Sequence, residues 1–331
     1  MEFERMLMVY MHDCHARGLR PKTMKSYEQT LRLFGVWIAD RHGIVQAEKI
    51  RAAHIRSYIS DLQTRGKYTY CARIESLPLN QPLNRRDYSK PVSLVTINGY
   101  LRNLRAFFAW AVSEEFLSKS PMHKIKLLPE ERQPKEYLDD EEVLRLLKSF
   151  DRGYFPEYRD FVATLLMLDS GTRLGETLSV TIEQIDLPDK SLFLPADKTK
   201  GRKARVVFFS ARTALEIKRW LQYKDRYCES DYLFPVKHSG AMLQVADFEK
   251  NFRKYIKRVG IKKHISPHTL RNNFAKRCLL AGMDIFTLSR ILGHSSVKVT
   301  EQAYLDVTEQ DLKQQYGRFS PVDSIFRKRK R

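Results

Sequence analysis

Apolar residues recur at three- and four-residue spacing along most of the first 128 positions. In RPKTMKSYEQTLRLFGVWIADR one helical stripe carries Met24, Tyr27, Leu31, Phe34 and Ile38. Thr23 is the expected N-cap of this helix. The segments FERMLMVYMHDCHARG, AEKIRAAHIRSYISDLQTRG and VSLVTINGYLRNLRAFFAWAVSEEF have the same spacing. The pattern therefore predicts a four-helix unit over residues 1–128.

The helical period is interrupted between residues 66 and 92. This insertion is rich in Pro, Tyr and Arg, and a loop of this length inside a compact unit is usually functional or disordered. One interpretation is a small hairpin whose basic side chains, among them Arg85 and Arg86, contact a phosphate backbone. The other is a mobile surface insertion. The sequence leaves both interpretations open.

A linker is predicted at residues 129–137, where prolines and mixed charge replace the helical pattern. Asp139 followed by Glu142 is typical of a capping box and marks the start of a second unit, residues 138–316. Its strand pattern is IEQIDLPDKSLFLPADKTKGRKARVVFFS, which contains two turn signals, and helices return after residue 210. We therefore expect a mainly α protein with a small antiparallel β-sheet.

The charge of the chain indicates what kind of partner the protein binds. The formal net charge is +20 and the pI is about 9.7. Residues 1–128 hold 21 basic and 11 acidic side chains, and the remainder holds 38 and 28, so the excess is spread over both units. Such a field favours a polyanion that both units contact, with double-stranded DNA or RNA as the best fit. Charge that serves only solubility is the alternative.

The four cysteines follow no CxxC spacing, which indicates a reducing compartment and no structural zinc. No apolar run approaches the roughly 18 residues that would span a bilayer, and the first residues do not resemble a secretory signal. We expect the protein in a prokaryotic cytoplasm, associated with the nucleoid and without a membrane partner.

Two motifs near the predicted strands place cationic side chains at turns. In DSGTRLGE one helix ends at Gly171 and another starts with Arg173, and Glu176 follows at the spacing of an i,i+3 ion pair. In TKGRKAR a glycine turn between two strands presents Lys200. Each motif alone is a weak indication of a functional site.

Two further motifs lie near the end of the second unit. In SPHTLRNNFAKRCLLAG, Ser266 and the proline after it are good N-cap and N1 residues, and His268 and Arg271 are expected on a shared outward face. A helix N-terminus there would attract an anion. In ILGHSSVKVTEQAYLD, His294 follows a helix-stopping glycine and Tyr304 follows ten positions later.

In the order Arg, Lys, HxxR, His, Tyr, these motifs resemble those of the tyrosine recombinases, also called the phage and transposon integrase family. The resemblance covers nearly the whole chain and includes TRLGE, HTLR, LGHSS and the terminal tyrosine. It implies that family's two domains, a helical SAM-like core-binding domain and a mixed α/β catalytic domain. By position, the family's active-site set and nucleophile correspond to Arg173, Lys200, His268, Arg271, His294 and Tyr304.

The implied reaction breaks a phosphodiester without a metal, ATP or any other cofactor. Arg173 and Arg271 suit the charge on the non-bridging phosphate oxygens, because each guanidinium presents a planar fork. His268 is the better candidate for the base and His294 for a phosphate ligand. Lys200 would protonate the leaving 5′ oxygen as the tyrosine forms a 3′-phosphotyrosyl link.

The implied partners are double-stranded DNA recombination sites, and exchange between two sites implies a homotetramer. The expected role is integration or excision of a mobile element, with an accessory directionality factor as a further partner. Arg102 and Arg105 are candidate DNA contacts. The tail at 317–331 is expected either to dock on a neighbouring protomer or to bind DNA nonspecifically. A type IB topoisomerase-like strand relaxase and a non-catalytic DNA-binding relative are the alternative functions.

Overall fold

The computed structural model describes residues 1–69, 87–130, 135–199, 201–294, 296–297, 300–301, 313 and 316. The chain divides into two compact units, Met1–Arg132 and Gln133–Arg331. The division falls inside the segment 129–137, where the sequence pattern predicts a linker. No helix among the described residues is long and apolar enough to cross a membrane.

The described part of the N-terminal unit is built from helices. They are α1 (Phe3–Ala16), α2 (Pro21–His42), α3 (Ala52–Thr64) and α4 (Leu94–Ser113), with a short 3₁₀ turn at Ala47–Lys49. Their apolar stripes meet in one core in which large aromatic side chains pack, among them Phe34, Trp37, Tyr58, Phe107 and Phe108. Rings of this size bury much apolar area per residue and dominate the stability of such a core.

Helix α2 begins earlier than its sequence suggested. Its N-cap is Arg20, and Pro21 occupies the first turn, so the prediction of Thr23 as N-cap is wrong. Proline suits the first helical position because its φ is already helical and its missing N–H would have no partner there. Helix α4 starts as a capped helix, since the Ser93 hydroxyl accepts a hydrogen bond from the backbone N–H of Thr96.

The two ends of the predicted insertion lie side by side. Gly66 and Pro91 form an antiparallel bridge, and the backbone N–H of Lys67 donates to the carbonyl of Lys90 at 2.9 Å. A side chain at Gly66 would collide with the backbone of Ser89, because a Cβ there would lie 2.2 Å from its Cα. Residues 70–86, and with them Arg85 and Arg86, lie outside the described residues.

The two candidate DNA-contacting arginines of α4 differ in their contacts. The Arg102 side chain is 54% exposed and lies 3.7 Å from a carboxylate oxygen of Glu130. Arg105 donates from Nη2 to the carbonyl oxygen of Ile125 at 2.7 Å and so braces the chain that follows α4. A role in DNA contact stays a prediction for both, and Arg102 has the more accessible charge.

The second unit surrounds a three-stranded sheet with helices. Its elements in chain order are α5 (Asp140–Lys148), α6 (Phe155–Ser170), α7 (Leu174–Leu178), β1 (Ile185–Asp186), β2 (Ser191–Leu194), β3 (Arg205–Phe208), α8 (Ala211–Lys224), α9 (Val245–Arg258), α10 (Pro267–Leu280) and α11 (Ile285–Leu292). The sheet is antiparallel in the order β1-β2-β3, with Leu192 opposite Val207 and Leu194 opposite Arg205. The prediction of a mainly α protein with a small antiparallel sheet is confirmed.

The capping box predicted at the start of this unit is present. The Asp139 carboxylate accepts from the backbone N–H of Glu142 at 2.8 Å, and the Glu142 carboxylate accepts from the backbone N–H of Asp139 at 3.0 Å. The core beneath it runs from α6 to the inward side chains of β2 and β3 and on to α9. This core holds the turns and helix ends that carry the candidate chemistry.

Candidate functional site

The first candidate residue, Arg173, is the N-cap of α7. The preceding helix α6 ends at Gly171, whose φ of +66° lies in the left-handed region that favours glycine. One turn on, the Glu176 carboxylate accepts from the backbone N–H of Arg173 at 2.9 Å and from its Nη1 at 2.8 Å. The predicted i,i+3 ion pair is therefore present, and it orients the Arg173 guanidinium from two directions.

A second arginine, Arg205 at the start of β3, reaches the same carboxylate. Its Nη1 and Nη2 donate to the two oxygens of Glu176 at 3.2 and 2.7 Å. Burial alone acts to raise the pKa of Glu176, but the hydrogen bonds from Arg205 and from the backbone N–H of Arg173 outweigh burial and lower that pKa. Sequence reasoning did not single out Arg205, whose charge is one of several in TKGRKAR.

Arg271 lies in the second turn of α10 and is buried, with 3% of its surface exposed. The prediction that it shares an outward face with His268 is wrong for Arg271. Its Nη1 donates to the carbonyl oxygen of Gly171 at 2.6 Å, and its Nη2 donates to that of Leu292 at 2.7 Å. Both carbonyls close helices, so the guanidinium satisfies acceptors that have no partner within their own helix.

The reason for this misassignment is that α10 is buried on more than one side. Helical spacing predicts a buried stripe of Leu270, Phe274, Cys278 and Ala281. Leu270 is buried, but Phe274 and Cys278 are half-buried and Ala281 is exposed, while Ala275 and Leu279 are buried instead. Asn273 is buried too, and its side chain exchanges hydrogen bonds with the backbone of Leu138. A helix enclosed by its surroundings has no single solvated face, and a one-stripe pattern cannot describe it.

Burial has a direct electrostatic effect on Arg271. Desolvation, followed by repulsion from Arg173, lowers the pKa of Arg271 well below its ordinary value, to about 9. A guanidinium in such surroundings gains stability from any anion that reaches it. The bonds to Gly171 and Leu292 fix its plane, so this anion would meet a donor group that is already oriented.

His294 follows Gly293, which ends α11 with φ +64°. The backbone N–H of His294 donates to the carbonyl of Ser289 at 3.1 Å. Its Nε2 lies 2.9 Å from Nη2 of Arg271, and its Nδ1 lies 2.8 Å from Oγ1 of Thr300. Burial first, and then repulsion from the nearby arginines, lowers the pKa of His294 to about 4, so the imidazole is neutral at pH 7.

His268 occupies the first turn of α10, which begins at the predicted N-cap Ser266 with Pro267 in its first turn. The His268 side chain is exposed, as predicted. It is near enough to His294 for repulsion between the two rings to help lower the pKa of the His294 imidazole. The structure therefore brings Arg173, Glu176, Arg205, His268, Arg271 and His294 to one site.

The remaining two candidates, Lys200 and Tyr304, lie outside the described residues. Among the described residues between β2 and β3, the Thr199 hydroxyl oxygen accepts from the backbone N–H of Lys203 at 3.1 Å and closes a turn. The neighbouring Lys198 donates from Nζ to the carbonyl of Ser179 at 2.9 Å and is held by that bond. Lys198 is thus a poorer candidate than Lys200 for the predicted general acid.

A cleft of about 700 Å³ opens between this turn, β3 and α11. Its basic walls include Lys203, Arg205 and Arg290, and its apolar walls include Val206 and Phe208, while His294 lies at its edge. The cleft therefore leads from the β2–β3 turn to the imidazole that contacts Arg271. Among the described residues, no three His, Cys, Asp or Glu side chains are grouped closely enough to hold a metal ion.

The described site carries an excess of positive charge. The guanidiniums of Arg173 and Arg205 bond the carboxylate of Glu176, and that of Arg271 is near enough to interact with it electrostatically. Guanidinium forks match the geometry of phosphate and carboxylate oxygens, and a partly buried site strengthens the attraction. This arrangement can bind an oxyanion and stabilise further negative charge on it. Sequence reasoning also missed Thr300, a buried residue that no motif marks.

Residues 136–311 match the phage integrase family. Among curated relatives, tyrosine recombinase XerD of Listeria monocytogenes is 26% identical over 315 residues, which cover 92% of this chain and 94% of the relative. Tyrosine recombinase XerC of Thermodesulfovibrio yellowstonii is 24% identical and covers 92% of each chain. Tyrosine recombinase XerA of Saccharolobus solfataricus is 29% identical and covers 69% of this chain and 68% of the relative.

Two solved structures show the same fold. The Tn1549 transposon integrase in complex with a circular intermediate DNA superposes with a TM-score of 0.71 at 18% identity, covering 95% of this chain and 99% of that one. The XerH site-specific recombinase bound to palindromic difH substrate superposes with a TM-score of 0.66 at 20% identity, covering 90% and 80%. At these identities the likeness concerns the fold.

Proposed function

The chain belongs to the phage integrase family of tyrosine recombinases, and from that premise we propose that the site around Arg173, Arg271 and His294 binds the scissile phosphate of a DNA recombination site. The observation that carries the proposal is the excess of guanidinium over carboxylate around Glu176. Because one carboxylate cannot neutralise three guanidiniums, the site is left with a positive charge that a phosphodiester would partly offset.

Arg173 and Arg271, which together form the proposed phosphate clamp, are held in place by different groups. Arg173 is held by Glu176, and Arg271 is held by the carbonyls at the ends of α6 and α11. Donors fixed in this way need no reorganisation when charge develops on the non-bridging oxygens of the phosphate. His294, neutral and bonded to Arg271 through Nε2, holds that guanidinium in place, and it donates to a phosphate oxygen itself once Nε2, released from Arg271 by the phosphate, carries the ring proton.

Tyr304 is the proposed nucleophile. Its phenol oxygen forms a bond to phosphorus as the bond from phosphorus to the 5′ oxygen breaks, which leaves a 3′-phosphotyrosyl link and a 5′-hydroxyl. His268 takes the phenol proton and Lys200 gives a proton to the leaving 5′ oxygen. Attack by a 5′-hydroxyl from a second duplex reverses the step, so the bond energy is conserved without ATP.

The proposed biological role is integration or excision of a mobile element. The support is the resemblance of the motifs to phage and transposon integrases, together with the match of residues 136–311 to the phage integrase family. Exchange between two double-stranded sites needs four cut strands and hence four protomers. A separate directionality factor is the further proposed partner, and it would determine whether integration or excision takes place.

The test uses nicked duplexes drawn from the sequences that flank the coding region, in which cleavage releases a short strand and traps the covalent adduct. The wild-type protein should form an adduct in EDTA, and Tyr304→Phe should form none. Tyr316→Phe is the matched control because Tyr316 is an exposed tyrosine near the end of the chain. An adduct with Tyr304→Phe would overturn the assignment of the nucleophile.

A second assay separates recombination from strand relaxation. A plasmid that carries two sites should yield recombinant products, whereas a plasmid without a site should keep its supercoils. Relaxation of both plasmids without any recombinant product would replace the proposal with a topoisomerase-like activity.

A further inference from the structure

We propose that Arg205 is a positioning residue of the site, which holds Glu176 so that the charge of Arg173 stays available to the phosphate and which fixes the helix end that presents His294. This inference rests on the proposed function for its catalytic readout. The placement of Arg205 between Glu176 and the end of α11 depends only on its own contacts.

The first contact is with the carboxylate of Glu176. Arg205 donates to both of its oxygens, at 3.2 and 2.7 Å, and Glu176 is 3% exposed. The same oxygens also receive the backbone N–H and the Nη1 of Arg173. The carboxylate thus accepts four hydrogen bonds, shared equally between two arginines, which is the full acceptor capacity of a buried carboxylate.

The sharing has an electrostatic consequence. If Glu176 bonded Arg173 alone, the two charges would cancel and Arg173 would offer little to an incoming phosphate. Because the charge of Arg205 neutralises the carboxylate, the charge of Arg173 is left uncompensated, while Glu176 still orients the Arg173 guanidinium. The net charge of the three groups is therefore +1 with Arg205 and would be zero without it.

The second contact is with the end of α11. The Nε of Arg205 donates to the carbonyl oxygen of Ile291 at 3.0 Å, a bond to one of the last carbonyls of that helix. The stem of Arg205 runs across Gly293, since a Cβ built there would lie 2.9 Å from Cδ and 3.0 Å from Nε of Arg205. Gly293 is therefore needed for close approach as well as for its positive φ, and His294 is the next residue.

These contacts join three elements at one side chain. Arg205 is fixed at the start of β3, where it pairs with Leu194 of β2. From that point it reaches α7 through Glu176 and α11 through Ile291. Each of its three guanidinium nitrogens donates to a protein group, so the fork is oriented toward Glu176 and α11, and we infer that Arg205 acts through them. Its side chain is 10% exposed.

The first test measures single-turnover cleavage of the nicked duplex by Arg205→Met, Arg205→Lys and Arg205→Gln. We expect Arg205→Met to lose about 100-fold in rate, as expected when reacting groups shift by about an ångström, with little change in DNA affinity. Arg205→Lys should recover part of the rate because it restores the charge but not the forked bond. Arg212→Met, which removes an exposed arginine from α8, is the matched control and should cleave at the wild-type rate.

A double-mutant cycle with Glu176→Gln separates positioning from general stability. If Arg205 acts through Glu176, the double variant should be little slower than the slower single variant. Full additivity of the two losses would overturn the proposal, and so would a wild-type rate for Arg205→Met.

The last readout requires no DNA cleavage. Repulsion from Arg205 is one cause of the low pKa of His294, so titration of the His294 imidazole by NMR should show a higher pKa in Arg205→Met and Arg205→Gln than in the wild type, with Arg205→Lys closer to the wild type. An unshifted His294 titration in both neutral variants would overturn the proposed link even if the recombinase assignment holds. A shifted titration in a protein that forms no adduct would support the link and remove the catalytic assignment.

Discussion

The Nη2 of Arg271 lies 2.9 Å from Nε2 of His294, and this contact determines which nitrogen of His294 carries its proton. A guanidinium can only donate, so Nε2 must accept. The remaining proton of the neutral ring is then on Nδ1, which donates to the Thr300 hydroxyl at 2.8 Å. Arg271, His294 and Thr300 thus form one chain of hydrogen bonds with a fixed direction.

Thr300 should matter for catalysis because it fixes this tautomer. Thr300→Val keeps the shape of the buried side chain but removes the acceptor, and an unpaired buried N–H costs about 1–3 kcal/mol. We expect Thr300→Val to cut the single-turnover cleavage rate by roughly 10- to 100-fold and Thr300→Ser to retain most of the rate. Equal rates in the two variants would show that the hydroxyl is irrelevant to His294.

Arg271 should not be replaceable by lysine. It bonds two carbonyl oxygens and His294 from two nitrogens in one plane, and a lysine ammonium is a compact charge without that fork. Arg271→Lys should lower the cleavage rate by at least about 100-fold. Arg277→Lys, an exposed arginine on the same helix α10, is the control. Near wild-type cleavage by Arg271→Lys would show that charge alone is sufficient.

The low pKa of His294 predicts a dependence of stability on pH. Its folded-state pKa is about 4 and its ordinary value is 6.5, so between these values the unfolded state binds a proton that the folded state does not. Stability therefore falls as pH drops from about 6.5 to about 4 and is unaffected by this group above pH 7. The loss at the acid end is at most about 3 kcal/mol, because the ring is partly solvated.

The measurement compares urea unfolding of the wild type and His294→Asn at pH 7.5 and pH 5. The pH dependence of other groups, including Glu176 with its lowered pKa, is common to both proteins. The wild type should lose more stability on acidification than His294→Asn. An equal loss in the two proteins would mean that His294 titrates normally in the folded state.

The sequence predicted those parts of the site that depend on local structure. The turn after α6, the Arg173–Glu176 pair, the N-cap at Ser266 and the glycine stop before His294 follow from motifs of a few residues, and each is present. The mainly helical fold with a small sheet followed from periodicity over longer segments. Local patterns are sufficient where one helix end or one turn sets the geometry.

What the sequence did not predict depends on contacts between distant segments. Arg205 bonds Glu176, which is 29 positions away in the sequence, and Ile291, which is 86 positions away. The contact between Thr300 and His294 is apparent only in the folded structure. The helical pattern placed Arg271 on a solvated face, but its guanidinium bonds the last carbonyls of two other helices that pack near α10. A single-helix pattern contains no information about which neighbours surround that helix.

Gly171 provides the last prediction, since the site is assembled around it. Its φ is +66°, its carbonyl accepts from Arg271, and a Cβ there would lie 2.3 Å from Cδ1 of Phe274 and 2.9 Å from Cδ2 of Leu292. Gly171→Ala should therefore add left-handed backbone strain of about 1–2 kcal/mol to an overpacking cost of about 1–3 kcal/mol.

Gly175 is the matched control. It lies four positions on, within α7, is exposed, and has nothing within 4 Å of a built Cβ. Gly175→Ala should leave stability unchanged or raise it by up to about 1 kcal/mol, because alanine favours the helix. Urea unfolding of the two variants at pH 7.5 should place Gly171→Ala several kcal/mol below Gly175→Ala. If the two variants were equally stable, the Arg271 anchor at Gly171 would tolerate a displacement of α10, and the fixed geometry proposed for the phosphate clamp would have to be abandoned.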